Sequence, residues 1–551
     1  MTVCDSDYII TVDSVTHVLH YPGTDKKCGV PSLQMRFRRR TGTGKEMAKR
    51  IIALILCMIL TAAMISCAST DGGGNDDTGR KEENGTSADP SETTIYYEPD
   101  NIPDGLNFGG ERVVILSQSI KNSGDHFELT AEELTSEPIN DSMYNREIYV
   151  EERLGVEIEN ITPKENVSLN DEIMRQINSD EDTYSVYSAA GHVISGLVLD
   201  GYLSDLYLVD YLDLDKPWWS QKFSEEAEIE DSLYLMTGSL SLSLLRNLYA
   251  VYFNKSLAED YKNTIPELDD LYGIVERGEW TFDRFVEIGG DIYEDINGNQ
   301  EADEEDLYGI NYLPFIAIDA IWSGFDLSVF EKDETGWFTI NVNTEKLFAS
   351  LEKIHNLLHN TKGSTSYGGF QYSFEDCPSM FASGRSLFLV DWLEIIERPE
   401  LRNMTADYGI LPYPKYDAAQ KEYYSYSHDQ YRVFAIPVTN QKPEVTGATL
   451  EAMASYAYRD TVPAYLDVAL KGKYMSDAKS RKTIDTVVNG FKLDASWIYF
   501  GNLSYEYPAT YRYMVMNKET SYSSHHQKLV KKVELNLKNS KEIFEKNNGK
   551  K

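Results

Sequence analysis

Short apolar runs alternate with amphipathic stretches along the middle of this 551-residue chain, and this alternation limits its possible folds more than any other feature. Residues 112–117 and 184–188 are apolar runs typical of buried strands. Between them, residues 140–154 and 171–177 have the apolar spacing of helices, and 156–159 alternates like an edge strand. Strand, helix and strand in this order predict parallel βαβ units, so we expect an α/β fold.

Two more strands are predicted farther along, at 232–238 and 248–254, around a segment rich in Ser and Leu. We expect the chain to cross there from one lobe to another, because 551 residues with 42% hydrophobic content are ample for more than one core. Parallel sheets bind ligands beyond the carboxyl ends of their strands. Residues 117–119 and 188–191 fall at such ends.

A leader begins at Met47, with a basic pair at 49–50 and an apolar run at 51–65. The run is shorter than the ~20 residues that a membrane-spanning helix needs, which favours a signal peptide. The tetrad at 64–67, Met-Ile-Ser-Cys, resembles a bacterial lipobox, which implies a lipid on the thiol of Cys67. A buried Cys in a signal-anchor helix is the alternative.

The leader divides the first part of the chain into three segments. Residues 1–46 carry a basic stretch before a complete signal peptide, so we interpret them as a mis-assigned upstream extension. Residues 47–66 are the predicted signal peptide. Residues 67–104 begin with a run rich in Gly, Asp, Asn, Ser and Thr, which predicts a disordered tether.

Composition excludes some classes of protein. The formal net charge of -37 argues against nucleic-acid binding, which needs clustered Lys and Arg. Of five cysteines, Cys67 and Cys377 alone follow the predicted cleavage point, so a lipidated Cys67 leaves no pair for a disulfide. The 38 tyrosines favour half-wet surfaces such as sugar-binding clefts, although most are expected in cores or on the outer surface.

Several segments taken in order resemble one known family, the extracellular solute-binding proteins of carbohydrate-type ABC importers, in the large lipoprotein group of family 1. Those segments are FGGERVVILS at 108–117, EERLGVEIE at 151–159, LSDLYLVDYLDLDKPWW at 203–219, LYAVYFNKSLAEDY at 248–261, WTFDRFVEIGGDIYEDINGNQ at 280–300, DLYGI at 306–310, FASGRSLFLVDWLEII at 381–396, DYGILPYPKYD at 407–417, YRVFAIPVT at 431–439 and VPAYLDVALKGKY at 462–474.

The resemblance implies a periplasmic-binding-protein-like clamp of two lobes joined by hinge strands, closing on a solute. On that model the first lobe comprises residues 105–245 with a return near 432–462, and the second comprises 246–431. Residues 463–551 form a helical C-terminal region whose lobe stays open. We expect a monomer, and we interpret Trp218-Trp219 as packing between lobe elements.

Candidate solute-binding residues follow from side-chain chemistry. Sugars stack on aromatic rings, and carboxylate, amide and hydroxyl groups bond their hydroxyls. The candidates are Trp322 and Trp392 for stacking, Asp391, Ser188 and Asn247 for hydrogen bonds, and Tyr431 and His428 near the return between lobes. Ordinary core packing or surface exposure is the alternative for each of them.

A loop at 295–306 has the oxygen spacing of an EF-hand-like calcium loop. Its candidate ligands are Asp295, Asn297, Asn299, Asp303 and Asp306. Two departures weaken the match, because Gln300 stands where Gly makes the sharp turn and Asp306 replaces the longer Glu. A solvated acidic turn is the alternative to a structural Ca²⁺ site, and no other cofactor is expected.

Enzyme motifs of the metalloprotease, serine hydrolase and phosphate-loop types are missing from the sequence. We therefore expect a binder, not an enzyme: a lipoprotein anchored on the extracytoplasmic face of the cell membrane. It would capture a carbohydrate, an oligosaccharide, and deliver it to the permease subunits of an ABC importer. The alternatives are a surface glycoside hydrolase, which needs two carboxyls flanking a bond, and a sensor or adhesin of the same fold.

Overall fold

The computed structural model describes residues 98–119, 129–164, 167–365, 376–474 and 477–548. All of them lie in one of the two compact units into which the chain divides, residues 97–551. The predicted upstream extension, signal peptide and lipidated Cys67 lie outside the described residues, as does most of the predicted tether. Among the described helices, none has the length and apolar character needed to cross a membrane.

The strands of the described residues form two main sheets. They are β1 Glu111–Ser117, β2 Val156–Ile161, β3 Val186–Ala190, β4 Tyr249–Asn254, β5 Tyr293–Glu294, β6 Leu307–Tyr312, β7 Phe330–Lys332, β8 Phe338–Ile340, β9 Ser364–Thr365, β10 Ser386–Trp392, β11 Tyr408–Pro412 and β12 Arg432–Ala435. One sheet has the order β12-β3-β1-β2, and the other has the order β11-β4-β10-β6-β5 with β9 beside β6. Strands β7 and β8 pair separately.

Helices cover both sheets. They are α1 Pro138–Leu154, α2 Leu169–Ser179, α3 Gly191–Leu199, α4 Gln221–Ala227, α5 Leu242–Arg246, α6 Lys255–Tyr261, α7 Leu271–Glu276, α8 Phe282–Gly289, α9 Pro314–Gly324, α10 Thr344–Asn360, α11 Asp376–Ala382, α12 Pro399–Arg402, α13 Pro443–Tyr456, α14 Ala478–Asn489, α15 Ala495–Ile498, α16 Glu506–Met516 and α17 Tyr522–Asn548. Short 3₁₀ turns occur at Leu206–Leu208, Pro266–Asp269 and Leu393–Glu397, and π-helical turns at Ala457–Thr461, Ala464–Tyr474 and Phe500–Ser504.

The four-stranded sheet and its helices form the first lobe, and the six-stranded sheet and its helices form the second. In the first lobe β1 pairs in parallel with both β2 and β3, so the predicted βαβ units are confirmed. Strand β2 lies at the edge, as its alternating pattern predicts. Helix α1 begins at Pro138, where the missing N–H costs nothing, and ends before Gly155 with φ of 60°. The α/β class with two lobes is confirmed.

The strand predicted at 232–238 is wrong. The structure has an extended segment there, in which single residues form bridges with three different partners. Ser232 bridges to Ile229, Met236 to Phe434, and Gly238 to Trp219. No two neighbouring residues pair with the same strand, so the apolar run packs in the core without forming a ladder.

Two of the segments that carry the chain between the lobes run side by side. The first leads from α5 into β4, and the second leads from β11 to β12. Leu248 of the first forms an antiparallel bridge with Ser427 of the second. The amide of His428 donates to the carbonyl of Asn247 at 3.0 Å, and the amide of Tyr249 donates to the carbonyl of Tyr426 at 2.9 Å. These two crossing segments therefore form a short hydrogen-bonded pair between the lobes.

The C-terminal region contacts both lobes. Thr483 of α14 donates its hydroxyl to the carbonyl of Ile410 in the second lobe at 2.6 Å. Asn547, near the end of α17, donates to the carbonyl of Leu199 in the first lobe at 3.2 Å. The helices from α14 to α17 thus pack across the two lobes.

Trp218 and Trp219 are buried in the first lobe, at 0% and 2% exposure. Both indole N–H groups donate to the carboxylate of Glu451 in α13, at 3.1 and 2.9 Å. The amide of Asp213 donates to the same carboxylate at 3.3 Å. Burial raises the pKa of Glu451 to about 7, although these three donors act in the opposite direction. The pair is a packing element of the lobe, as its position in the sequence predicts.

Candidate functional site

The strand ends of both lobes meet the crossing segments at one place. Strand β3 ends at Ala190, and α3 begins at the next residue, which puts His192 in the first turn of that helix. Strand β10 ends at Trp392 in the second lobe. The indole of Trp392 lies 4.8 Å from the imidazole of His428 in the second crossing segment. Ligand sites of α/β sheets form at such carboxyl ends, so we take this junction as the candidate site.

An aromatic series runs from His428 through the junction. Its members, in order, are Trp392, Tyr249, Tyr426, Trp497, Phe500 and Tyr505, with successive ring centroids 6.3, 5.4, 5.1, 5.1 and 5.0 Å apart. Trp392 stacks on Tyr249 at 22°, and Trp497 stacks on Phe500 at 7°. Tyr505 at the far end is 53% exposed. The series joins residues of the second lobe, the crossing segment and the C-terminal region.

Asp429 lies between two imidazoles at the same junction. Its Oδ1 is 3.4 Å from Nδ1 of His428, and its Oδ2 is 3.8 Å from Nδ1 of His192. Burial acts to raise the pKa of Asp429, but the two histidines, the amide of Gln430 and the charge of Arg512 hold it below its ordinary value. Burial is the largest influence on His428 and lowers the pKa of its imidazole. We call these three residues the imidazole–carboxylate group.

Arg512 and Asp319 form an ion pair next to this group. The guanidinium of Arg512 in α16 donates to both carboxylate oxygens of Asp319 in α9, at 2.9 and 2.5 Å. Asp319 is 3% exposed, and burial raises its pKa to about 6 even though Arg512 acts to lower it. Such a two-pronged pair fixes the orientation of both side chains. It therefore ties the C-terminal region to the second lobe beside the site.

The structure brings three of the predicted solute-binding residues together. Trp392 and His428 are in ring contact, and Asn247 accepts the amide hydrogen bond of His428 with its own carbonyl. The other predicted residues of this edge lie in the first lobe. Ser188 is fully buried in β3, where its carbonyl accepts a bond from Arg432 at 3.1 Å, and Tyr431 packs edge-on against Phe223 at 6.2 Å.

Trp322 and Asp391 lie apart from the imidazole–carboxylate group. Trp322 is 2% exposed in α9, with its ring against Trp497 and Tyr507. Asp391 faces away from Trp392, because adjacent side chains of a strand point to opposite sides. Its carboxylate accepts the amide bond of Trp392 at 2.8 Å, and burial raises its pKa to about 7. Both side chains are core groups in this structure.

Sequence reasoning missed His192, Asp429 and Arg512. Asp429 follows His428 directly, and His192 follows a predicted strand end, so the sequence weakly indicated that both belong to the site. Arg512 carried none, because its partner Asp319 is 193 positions away. The tyrosines at 249 and 426 were also missed, since their positions in the crossing segments depend on the pairing of distant parts of the chain.

Two surface cavities lie elsewhere. One of about 430 Å³ is lined by Tyr272, Val275, Glu276, Tyr423, Lys479, Lys482, Thr483 and Thr486. Another of about 400 Å³ is lined by Gly110, Glu111, Arg112, Val114, Asp182, Thr183, Ser185, Asn440, Lys442, Val445 and Thr446. Neither includes a residue of the aromatic series or of the imidazole–carboxylate group. The rings of the candidate site, other than Tyr505, are mostly covered by protein, so a solute needs the lobes to move apart.

The loop predicted to bind calcium is closed by its own hydrogen bonds. The carboxylate of Asp295 accepts from the amides of Gly298 and Gln300 at 2.7 and 2.9 Å. The side-chain amide of Asn299 donates to Asp303 at 2.6 Å. Gln300, at the position that usually holds Gly, has φ of 63°, so the sharp turn is made without Gly.

The oxygen donors of this loop are of the type that calcium prefers. In the described part of the chain, no three His, Cys, Asp or Glu side chains are grouped as a metal would require. Asp306 is fully buried and accepts from the hydroxyl of Tyr293 at 2.9 Å. Calcium binding by Asp295, Asn297, Asn299, Asp303 and Asp306 therefore stays a prediction from sequence spacing.

Chelation tests that prediction. If the loop binds Ca²⁺, a chelator is expected to lower the melting temperature of the protein, because a ligand that binds the folded state alone stabilises it. Asp295→Ala is expected to abolish the response to the chelator, whereas Asp171→Ala, a matched change at an exposed position of α2, should keep it. Identical melting curves with and without chelator would reject the calcium site, and the loop would then be a hydrogen-bonded acidic turn.

Comparisons with known proteins give structural matches alone. No family model matches the sequence, and no curated protein is significantly similar to it. An ABC substrate-binding protein from Listeria monocytogenes, in complex with cycloalternan, is 13% identical with a TM-score of 0.46, covering 80% of this chain and 100% of that one. A cyclo/maltodextrin-binding protein complexed with maltotetraose is 10% identical with a TM-score of 0.49, covering 79% and 97%. RafE from Streptococcus pneumoniae is 12% identical with a TM-score of 0.47, covering 79% and 98%.

Proposed function

We propose that this chain is an extracellular solute-binding lipoprotein of an ABC importer, which captures an oligosaccharide between its lobes and delivers it to the permease. One observation carries the proposal. The aromatic series and the imidazole–carboxylate group lie together where the strand ends of both lobes meet the paired crossing segments. A site at such a junction can bind a solute with both lobes at once.

The side chains at the junction suit a carbohydrate. Aromatic rings offer flat apolar faces to the C–H faces of sugars, and the carboxylate of Asp429 can accept hydrogen bonds from sugar hydroxyls. The paired crossing segments are short and are held together by few backbone bonds, such as that between His428 and Asn247. Rotation of the lobes about a short connection is a common way to open and close a cleft.

The arrangement of the carboxylates at the site favours a binding protein over a glycoside hydrolase. A glycosidase needs two carboxyl groups free to flank the scissile bond, about 5 to 10 Å apart. At this junction two guanidinium nitrogens of Arg512 donate to the carboxylate of Asp319. The side chain of Asp391 faces away from Trp392. Glu394 is paired with Arg398 at 3.7 Å, which leaves Asp429 as the carboxylate of the junction without an ion pair to Lys or Arg among the described residues.

The test of this function is a binding screen of the exported chain by thermal shift and calorimetry against oligosaccharides, polyols and peptides. One class of oligosaccharide is expected to stabilise the protein and to be recovered intact. Trp392→Ala is expected to weaken its binding at least tenfold, about 1.4 kcal/mol, whereas Trp392→Phe should retain most of the affinity because it keeps a ring.

The outcomes of the screen separate the alternatives. Release of shortened sugars would replace the binder with a glycoside hydrolase. Tight binding of peptides alone would keep a solute-binding clamp and reject the carbohydrate. If the wild type and Trp392→Ala bind the sugar with equal affinity, the sugar-binding site lies outside this junction.

Membrane attachment through Cys67 is part of the proposal and rests on the lipobox-like tetrad and the tether that follows it. Mass spectrometry of the protein from bacterial membranes is expected to find a diacylated N-terminal Cys67, and Cys67→Ser is expected to accumulate as unprocessed precursor. Cys377→Ser, which changes a buried thiol of the folded part, should be processed normally. An unmodified Cys67 within an uncleaved chain would contradict the anchor.

A further inference from the structure

The carboxylates of the candidate site differ in whether they form an ion pair. Asp319 is paired with Arg512, and Glu394 is paired with Arg398 at 3.7 Å. Asp429 faces two histidines, and within the described residues no Lys or Arg forms an ion pair with it. The carboxylate of Asp429 therefore lies next to His428, which is in ring contact with Trp392, and has no Lys or Arg in an ion pair with it among the described residues.

Asp429 is also accessible to a solute. Its side chain is 23% exposed, whereas Asp319 and Glu394 are 4% and 8% exposed at their side chains. Its hydrogen bonds are few, since the side-chain amide of Gln430 donates to Oδ1 at 3.2 Å and the imidazole nitrogens stand 3.4 and 3.8 Å away. A carboxylate can accept about four hydrogen bonds, so Asp429 has capacity left for donors of a solute.

We infer that Asp429 determines the charge of the solute: the site accepts sugars whose hydroxyl or protonated amino groups donate to this carboxylate, and it rejects sugars that carry a carboxylate. This inference rests on the proposed function. A like charge at this position would bring two carboxylates together in a partly desolvated site, where repulsion is far stronger than in water. Amino and neutral sugars instead supply N–H or O–H donors.

The surrounding groups make the rejection dependent on pH. His428 is faced by Asp429, Glu394, Arg512 and His192, and burial lowers the pKa of its imidazole. At pH 7.5 the negative charge of Asp429 is therefore unopposed by His428. Protonation of His428 would place a positive charge 3.4 Å from the carboxylate of Asp429 and offset its negative charge, so the rejection of acidic sugars weakens when this imidazole is protonated.

The experiment compares sugars that differ in charge alone. The exported chain is titrated by calorimetry at pH 7.5 and pH 5 with three matched sets of trisaccharides, in the gluco, galacto and manno series. Each set contains a neutral sugar, its 2-amino counterpart and its uronic acid counterpart. In the series that binds, the uronic acid is expected to bind at least tenfold more weakly than the neutral sugar at pH 7.5, and the ratio should shrink at pH 5.

Asp429→Asn is expected to remove the difference between the neutral and the uronic sugar at pH 7.5, because the amide keeps the shape and loses the charge. Glu534→Gln, an equal loss of charge on the exposed face of α17, should keep the difference. A uronic acid that binds the wild type as tightly as its neutral counterpart would overturn the inference and leave the proposed function intact. No binding by any of the nine sugars would overturn both.

Discussion

Arg512→Met is expected to lower the free energy of unfolding by about 3 kcal/mol or more, because it leaves the buried carboxylate of Asp319 without its partner. Asp319 is 3% exposed, and Arg512 supplies two hydrogen bonds to it. Chemical denaturation at pH 7.5 measures the loss. The double variant Asp319→Asn/Arg512→Met should recover part of it, since the unpaired charge is gone.

Acidification and a surface pair provide the controls for this variant. Burial already raises the pKa of Asp319 to about 6, so removal of Arg512 raises it further. A carboxyl whose folded-state pKa is raised destabilises the protein as pH rises, and the cost of Arg512→Met should therefore be smaller at pH 5 than at pH 7.5. Arg277→Met breaks ion pairs that are about half exposed, and it should lower the free energy of unfolding far less than Arg512→Met does. If both variants lose the same free energy of unfolding, the buried ion pair contributes no more to stability than the exposed ones.

Glu451→Ala is expected to lower the free energy of unfolding by about 3 kcal/mol, since it leaves the indole N–H groups of Trp218 and Trp219 buried without acceptors. The cavity left by the missing side chain adds to the loss. Thermal and urea unfolding at pH 7 measure it. Glu451→Gln fills the same space and keeps one acceptor, so it should lose less than the alanine variant.

The dependence on pH distinguishes a buried carboxyl from simple packing. Burial raises the pKa of Glu451 from 4.5 to about 7, so its ionisation opposes folding between those values. Relative to Glu451→Gln, the wild type is expected to gain stability as the pH falls from 8 to 5. If the difference between the two proteins is constant over this range, Glu451 does not titrate there and its role is one of packing alone.

Much of the fold was predictable because its signals are local. Strand β1 and helix α1 were located within two residues of their ends, since apolar runs and helical spacing are properties of neighbouring residues. The segment at 232–238 has the same apolar composition but pairs residue by residue with different partners. Apolar composition indicates that a segment is buried. Whether it forms a β-ladder depends on which distant segment of the chain lies beside it.

The candidate site was predictable only in part. Trp392 and His428 were singled out for their chemistry, and the structure places them in ring contact. Trp322 was chosen for the same reason, but it packs within α9 against Trp497. A tryptophan looks alike in a sequence whether its ring faces a cleft or a core, because the direction of the side chain follows from packing.

The alternation of strands and helices, the excess of acidic residues and the prediction of a leader with a lipobox-like Cys67 follow from the sequence alone, because they depend on adjacent residues or on residue counts. The tertiary structure decided which residues form the site. His192, Asp429 and Arg512 come from three distant parts of the chain, and they share one junction because two sheets, two crossing segments and a C-terminal helix pack there. The interactions among these three side chains exist only in that arrangement, since burial and mutual distance set their strength.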